Sequence, residues 1–520
     1  MTSRYLTLIC FSLFACQSTA RPISNPVSQS SSPASSIAQS SVATGTASQI
    51  NPAIQSWLPE MSCEAPLFLD AISTWQEKRI TGGGMDAIRQ AIEASPKNQP
   101  VKLSIAAGTY QGQCLYIENH HRSAQAPLWI KGEGQVQIDC TDGNGQAIAL
   151  ENSSWIAIDN LTVGPENGYY GDSAVHIAGH PVEIENPAKY GQYQIAHHII
   201  VRNLKARNLN RGLDGDSNPE AYESGCCDGI KVNQAEHVWL IDNQISRTAR
   251  HGIDIVGVHH AAVCRNQLFH MVGAGQGMEA KGGSEDILFE ANTVFGARHR
   301  ALLLGGEGTA DVYMYPIGVK YEGTHQLARN NVLINASEGG LGFYGCQDCA
   351  AIGNTIWQTP GFRSETRDLI RMYPSILEAA DEWGGARRVG EVIPNRNNQV
   401  INNVFGAAES GITCALEAGE NGVTALQMHH NLWWNGGQTL PECGEGAYSI
   451  TDYPDSASFF ASKDPLFLHP GSSNLIPQLQ PQLNSPLIKA GILHPLNSKV
   501  DAKSKLRQHP PTIGALEANF

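Results

Sequence analysis

An excess of basic residues is the first thing this chain lacks: its 520 residues carry 35 Lys and Arg against 49 Asp and Glu, a formal net charge of −14. Duplex DNA and RNA require a basic footprint to hold their phosphates, so nucleic acid is excluded as the main partner. An acidic polymer of any kind would be repelled at long range and would need a local cationic groove or a bound cation. A membrane-spanning run is also missing from the N-terminus, where the apolar stretch Leu6 to Ala15 is too short to cross a bilayer as a mature helix. Cys346-Gln-Asp-Cys349 has zinc-knuckle spacing but no second pair at a matching distance, which argues against a zinc site. Low-complexity repeats are absent too. The 52 glycines and 27 prolines scatter as loop punctuation, as expected for many short strands joined by turns.

What the N-terminus does contain is a targeting signal. Arg4 precedes the apolar run, which reads as a signal h-region, and Leu13-Phe14-Ala15-Cys16 resembles a bacterial lipoprotein box with Cys16 as the lipidated residue. Cleavage near Ser18-Thr19-Ala20 is the alternative. The expected location is the bacterial cell envelope, with a lipid anchor in the outer membrane, or the periplasm or medium if Cys16 is not lipidated. Residues 17–56 are Ser/Ala/Thr/Gln-rich with almost no charge, and read as a disordered tether after a signal peptide of residues 1–16. The folded domain is expected at residues 57–520, as a monomer. Of the twelve cysteines, ten remain after Cys10 and Cys16 are set aside, an even number in an exported chain. The expected clamps are Cys63 with Cys114 and Cys414 with Cys443; Cys226, Cys227, Cys264, Cys346 and Cys349 stay open.

The centre of the chain is a repeat. Asp228-Gly-Ile-Lys-Val-Asn233, His251-Gly-Ile-Asp-Ile-Val256, Gln276-Gly-Met-Glu-Ala-Lys281 and Arg300-Ala-Leu-Leu-Leu-Gly305 begin 23, 25 and 24 residues apart, the period of a solenoid coil. An asparagine recurs at a fixed place in the coils, at Asn160, Asn203, Asn243, Asn266, Asn292, Asn331, Asn354, Asn403 and Asn431, as a structural ladder does. Longer gaps between repeats imply inserted loops, including 165–193, 214–225 and 309–321. Residues 364–382 read as an amphipathic helical insertion bearing Arg367 and Arg371, placed beside a substrate cleft. The fold class is all-β, a parallel β-solenoid with a short N-terminal capping helix over residues 82–94.

Strand alternation sorts the repeat into columns. Ile230, Ile253, Met278 and Leu302, and then Val232, Ile255, Ala280 and Leu304, face the core. The column between them faces outward and reads Lys231, Asp254, Glu279, Leu303. The next outward column reads Asn233, Val256, Lys281, Gly305, and the residues leading into the strands are Asp228, His251, Gln276 and Arg300. Parallel strands lie about 4.8 Å apart, so Asp254 and Glu279 are neighbouring carboxylates with Lys231 and Lys281 beside them. Two chemistries fit. In β-elimination on a uronate, Lys281 or His251 is the base, Arg300 neutralises charge, and Asp228, Asp254 and Glu279 hold Ca²⁺. In glycoside hydrolysis, Asp254 and Glu279 act as the carboxylate pair. Lys231, His299, Arg367 and Arg371 are candidate substrate contacts. The other histidines, among them His197, His198, His259 and His260, read as turn or surface residues, and Trp433 and Trp434 as core.

Several stretches carry a resemblance. The helix followed by Ala107-Gly-Thr-Tyr110, the tail Asp464-Pro-Leu-Phe467 with Pro511-Thr-Ile-Gly-Ala-Leu-Glu517, and Gly277-Met-Glu-Ala-Lys-Gly-Gly-Ser284 with Gly345-Cys-Gln-Asp-Cys349 resemble bacterial right-handed parallel β-helix proteins of the pectate lyase-like superfamily. Among these the chain is similar to polysaccharide lyases of the alginate lyase and chondroitinase B type. That resemblance implies a right-handed β-helix with an N-terminal cap over residues 57–110 and a closing segment over residues 460–520. It also implies a polysaccharide substrate, cleavage by β-elimination, Lys281 as base and a calcium ion. Gln276, Gly282 and Leu304-Gly305-Gly306 depart from the type, so its calcium ligands do not transfer as a set. Glycoside hydrolase and non-catalytic glycan-binding or adhesin-like surface protein remain the alternatives.

Overall fold

The computed structural model describes residues 52–519 except 141–144, 169, 172, 182–192, 211–226, 274, 311–312, 360–367, 381–385, 420–422, 442–462 and 472–476. The signal, Cys16 and nearly all of the tether lie outside these residues, as do the insertion 214–225, Arg367 and Cys443.

Parallel strands stack coil upon coil, and each coil turns through three faces. In one coil, residues 253–256 form the first face, Gly257 at φ 62° and His260 at φ 56° bend the chain, residues 261–264 form the second, and Gln267–Met271 forms the third. The main sheet is parallel throughout, from the pairing of Gln76–Ile80 with Val101–Gln111 to that of Val404–Ala407 with Leu432–Asn435. This is a parallel β-helix, and its crossovers take the right-handed sense that twisted parallel strands impose. The cap forms where helical spacing predicts it: Gly84–Glu93 buries Met85, Ile88 and Ile92 over the first coil. Both inward columns of the repeat are fully buried.

The asparagine ladder runs from Asn243 to Asn431. Asn266 shows its chemistry: its side-chain amide donates to Leu240 O at 2.8 Å and to Asn292 Oδ1 at 3.0 Å, while its own N–H donates to Asn292 Oδ1 at 2.9 Å. Asn160 and Asn203 are not rungs. They occupy the preceding bend, at φ 56° and 54°, and Leu161 and Leu204 hold the ladder position there.

The second and third faces each have an apolar outward stripe, and a chain end covers it. Ala157, Ile200, Trp239, Ala262, Leu288, Leu327 and Ala350 stack in one column and pack against Ile54, Trp57, Met61 and Leu69. Packed structure therefore extends into the stretch read as tether, at the helix Pro52–Trp57 with Ile54 buried. On the third face, Val332, Ile334, Trp357, Val404 and Leu432 pack against Phe467, Leu487, Ile513 and Leu516, so the closing segment lies along the side of the solenoid.

Two further expectations change, and one open pairing closes. Cys63 bonds Cys264, because its segment lies on the second face; Cys114 bonds Cys140; and Cys346 bonds Cys349, which uses up the knuckle spacing. Cys414 is disulfide-bonded, with Cys443 outside the described residues. The insertion is not helical from residue 368 onward: Asp368–Tyr373 joins the parallel sheet and Ser375–Ala380 pairs antiparallel with Ala386–Ile393. Burial of Ile370 and Met372, alternating with the half-buried Arg371 and Tyr373, overrides helical spacing.

Candidate functional site

The first face carries the charge. Its outward column is continuous across nine strands: Ala149, His176, Lys231, Asp254, Glu279, Leu303, Gly342, Arg371 and Glu417, each in register with the next. Lys231, Asp254 and Glu279 thus stand on successive rungs as their spacing predicts, and Lys281 lies beside Val256 in the next outward column. Gly305 does not continue that column. A register shift between Glu279 and Ala280 sets it opposite Ala280.

Asp254 is fully buried, and Glu279 is 2% exposed. Lys231 Nζ contacts Asp254 Oδ2, while Lys281 Nζ lies 2.5 Å from Glu279 Oε1 and 3.7 Å from Asp254 Oδ1. Burial alone would push both carboxyls up. For Asp254, Lys231 and Lys281 override burial and hold it well below the carboxylate range. For Glu279, burial prevails with the help of the Asp254 charge, and its carboxyl is pushed up to about 8 in spite of Lys281. Two like charges on adjacent rungs cannot both ionise cheaply, and the lysine contacts decide which one does. His176, one rung before Lys231, is lowered to about 4 by burial and by Lys231, and is therefore neutral.

The residues leading into the strands form a second ladder. The His251 N–H donates to Asp228 Oδ1 at 3.0 Å, the Gln276 N–H to His251 Nδ1 at 3.0 Å, and the Arg300 N–H to Gln276 Oε1 at 2.8 Å. The bond at Nδ1 fixes the His251 tautomer with hydrogen on Nε2, so Arg250 Nη2 at 3.3 Å from Nε2 is a close approach and not a hydrogen bond. Burial keeps His251 neutral, and its free lone pair is already engaged. Asp228, His251 and Gln276 are thereby scaffold, each holding the amide of the next coil.

Arg300 crosses the outward column where Gly342 leaves room; a Cβ there would lie 2.7 Å from Leu303 Cδ1 and 2.9 Å from Arg300 Cδ. Arg300 is 3% exposed, and its guanidinium contacts Glu307, lies 3.3 Å from Glu338, donates to Tyr344 Oη at 2.6 Å and sits 4.5 Å from the Tyr344 ring centre. Arg371 continues this network to Asp368 at 2.5 Å and Glu417 at 2.8 Å. His299 lies 3.9 Å from Glu338. Arg300, His299 and Arg371 therefore make a paired wall beside the lysine and carboxylate centre.

The calcium ligands expected at Asp228, Asp254 and Glu279 do not come together as a set. Asp228, His251 and Asp254 cluster within 4.8 Å, whereas Glu279 Oε1 lies 2.5 Å from Lys281 Nζ and 3.3 Å from His251 Nδ1 and does not complete a set with the two aspartates. Calcium takes six to eight oxygens. Here Asp254 already carries two ammonium groups, and one of the three clustered donors is the His251 nitrogen, whose Nδ1 accepts the Gln276 N–H, so these residues do not fit calcium. His176, Gly342, Tyr344 and Glu417 were not singled out from the sequence. Their signal is register, which the insertions between coils conceal.

No family model matches the chain, and no curated protein matches it. Among solved structures, it is similar to the A-module of a mannuronan C-5 epimerase from Azotobacter vinelandii, with 14% identity, coverage of 73% of this chain and 95% of that one, and a TM-score of 0.45. An exopolygalacturonase from Thermotoga maritima matches at 11% identity over 75% and 92%, with a TM-score of 0.45. A PL6-family polysaccharide lyase from Pseudopedobacter saltans matches at 10% identity over 74% and 91%, with a TM-score of 0.38.

Proposed function

We propose that the chain is a carbohydrate-active enzyme that cleaves a uronate-containing polysaccharide by β-elimination on the first face. The observation that carries this is the charge of the centre. Two lysine ammoniums stand against one ionised carboxylate, Asp254, and one carboxyl held neutral, Glu279, which leaves a single positive charge on an otherwise acidic protein. One uronate carboxylate complements it. Lys231 and Lys281, each 14% exposed at the side chain, lie above the two buried acids and would meet that carboxylate.

Lys281 is the base in this reading. Lys281 Nζ lies 2.5 Å from Glu279 Oε1, and once this pair has lost one proton to solvent, the raised proton affinity of Glu279 keeps the remaining proton on the carboxyl and leaves the amine free. The amine removes the proton α to the carboxylate, the C–H electron pair becomes the new C=C bond, the glycosidic C–O bond breaks with its electron pair going to the departing oxygen, and that oxygen takes a proton from water. No step requires calcium. Hydrolysis is the second reading, because neighbouring carboxyls pushed in opposite directions suit a glycosidase acid, Glu279, and its ionised partner, Asp254.

Alginate, pectate and glycosaminoglycans, screened with and without chelator, test the proposal. The expected product is an unsaturated sugar absorbing in the ultraviolet, with no loss of rate on chelation and no product from Lys281→Ala. New reducing ends without that absorbance would make the enzyme a hydrolase, and binding without cleavage a glycan-binding protein. Export with a lipid on Cys16 is part of the proposal, and Cys16→Ser should release the protein from the membrane fraction.

A further inference from the structure

Away from the first face, the bend before the second face carries another column. Trp155, His198, His237, His260, Asp286 and His325 all adopt left-handed φ between 51° and 59°, one per coil and in register. The first four stack, with ring centres 3.8, 4.5 and 4.9 Å apart. At Asp286 the column changes from ring to carboxylate. His260 Nδ1 lies 3.2 Å from Asp286 Oδ2, and His325 Nδ1 lies 3.3 Å from Asp286 Oδ1 and 3.4 Å from Glu285 Oε1. Tyr321 Oη donates to the other Glu285 oxygen at 3.2 Å.

Two features point to a ligand. Asp286 is 8% exposed, and its Oδ1 has no hydrogen-bond partner among the described residues. The three atoms facing one another are also spaced too widely for charge-assisted hydrogen bonds, which run about 2.7–2.9 Å. The two separations from His325 Nδ1 match edges of a tetrahedron built on metal bonds of about 2.0–2.2 Å, roughly 3.3–3.6 Å, and the three residues' ligand atoms all lie within 4.8 Å of one another. A single N–H on His325 cannot aim at both carboxylates, whereas a cation between the three atoms satisfies all of them. Each carboxylate also has its second oxygen held, Asp286 by His260 and Glu285 by Tyr321, as metal-binding carboxylates commonly do.

We propose that Glu285 Oε1, Asp286 Oδ1 and His325 Nδ1 bind one divalent transition ion of the zinc type, with the outward coordination position open to solvent. The set of one imidazole and two carboxylates favours such an ion over calcium. The site lies on the bend before the second face, separate from Asp254 and Glu279.

The test is calorimetric titration of ZnCl₂ into the chelator-stripped, dialysed full chain, with thermal melting in parallel. One equivalent should bind and raise the melting midpoint. His325→Gln should lose both effects while keeping the wild-type circular dichroism, and Tyr321→Phe should weaken binding about 10- to 100-fold. If His325→Gln does not fold, Glu285→Gln serves in its place. Absence of stoichiometric binding by the wild type, or binding that persists unchanged in the folded variant, overturns the proposal; the second result would assign the ion to another cluster.

Discussion

Glu279 and Asp254 have the same chemistry and neighbouring rungs, yet the lysines drive them apart. The sign of the pH dependence follows. If Lys281 is the base, the Lys281–Glu279 pair must lose a proton before it works, so kcat should rise with pH through about 8. If Glu279 is instead a glycosidase acid, kcat should fall through the same value. A pH–rate profile decides between them, and Glu279→Gln should abolish the limb at about 8. Stability responds as well. The folded state holds the Glu279 proton to about 8, whereas an ordinary glutamate releases it at 4.5, so this contribution is full at low pH and is lost as pH rises between those values. Asp254 is held down, so its contribution is present above its ordinary value of 3.8 and is lost only in acid. The windows do not overlap, and melting midpoints measured between pH 5 and 8 should slope less in Glu279→Gln than in the wild type.

The strands explain what can be read from the chain in advance and what cannot. Asp228 to Gly305 is legible because nothing longer than a turn separates its coils, so equal spacing in sequence is equal height in the stack. His176 belongs to the same column but is hidden, since residues 179–229 intervene before Lys231. Arg371 and Glu417 are hidden in the same way, by the chain between coils. The partner of Cys63 is hidden for a related reason: Cys63 is near Cys114 in sequence, but the N-terminal segment packs on the second face beside Cys264. The ladder offers a direct measurement. Asn292→Ala removes the bonds to Val263 O and Asn331 and leaves the Asn266 N–H without its acceptor. Urea denaturation should register a loss of about 3 kcal/mol, the cost of stranding buried polar groups.

Across the whole molecule, the first face carries the lysine and carboxylate centre, while the second and third faces each carry an apolar outward stripe beside their polar positions. The apolar second and third stripes are covered by the N-terminal segment and the C-terminal tail. Cys63 ties the N-terminal cover to a coil 201 residues away, a loop closure that on chain-entropy grounds contributes about 5 kcal/mol. Cys63→Ser should lower the melting midpoint and lead to a first, partial transition in which the second face becomes accessible to a hydrophobic dye. A stack of coils in which each touches only its neighbours tends to unzip from an end, one coil at a time. Here each cover touches many coils at once, Ile54 to Leu69 on one side and Leu487 to Leu516 on the other. No coil can leave without disturbing a strip that its distant fellows also need, and so the two chain ends turn a one-dimensional array into a single cooperative unit.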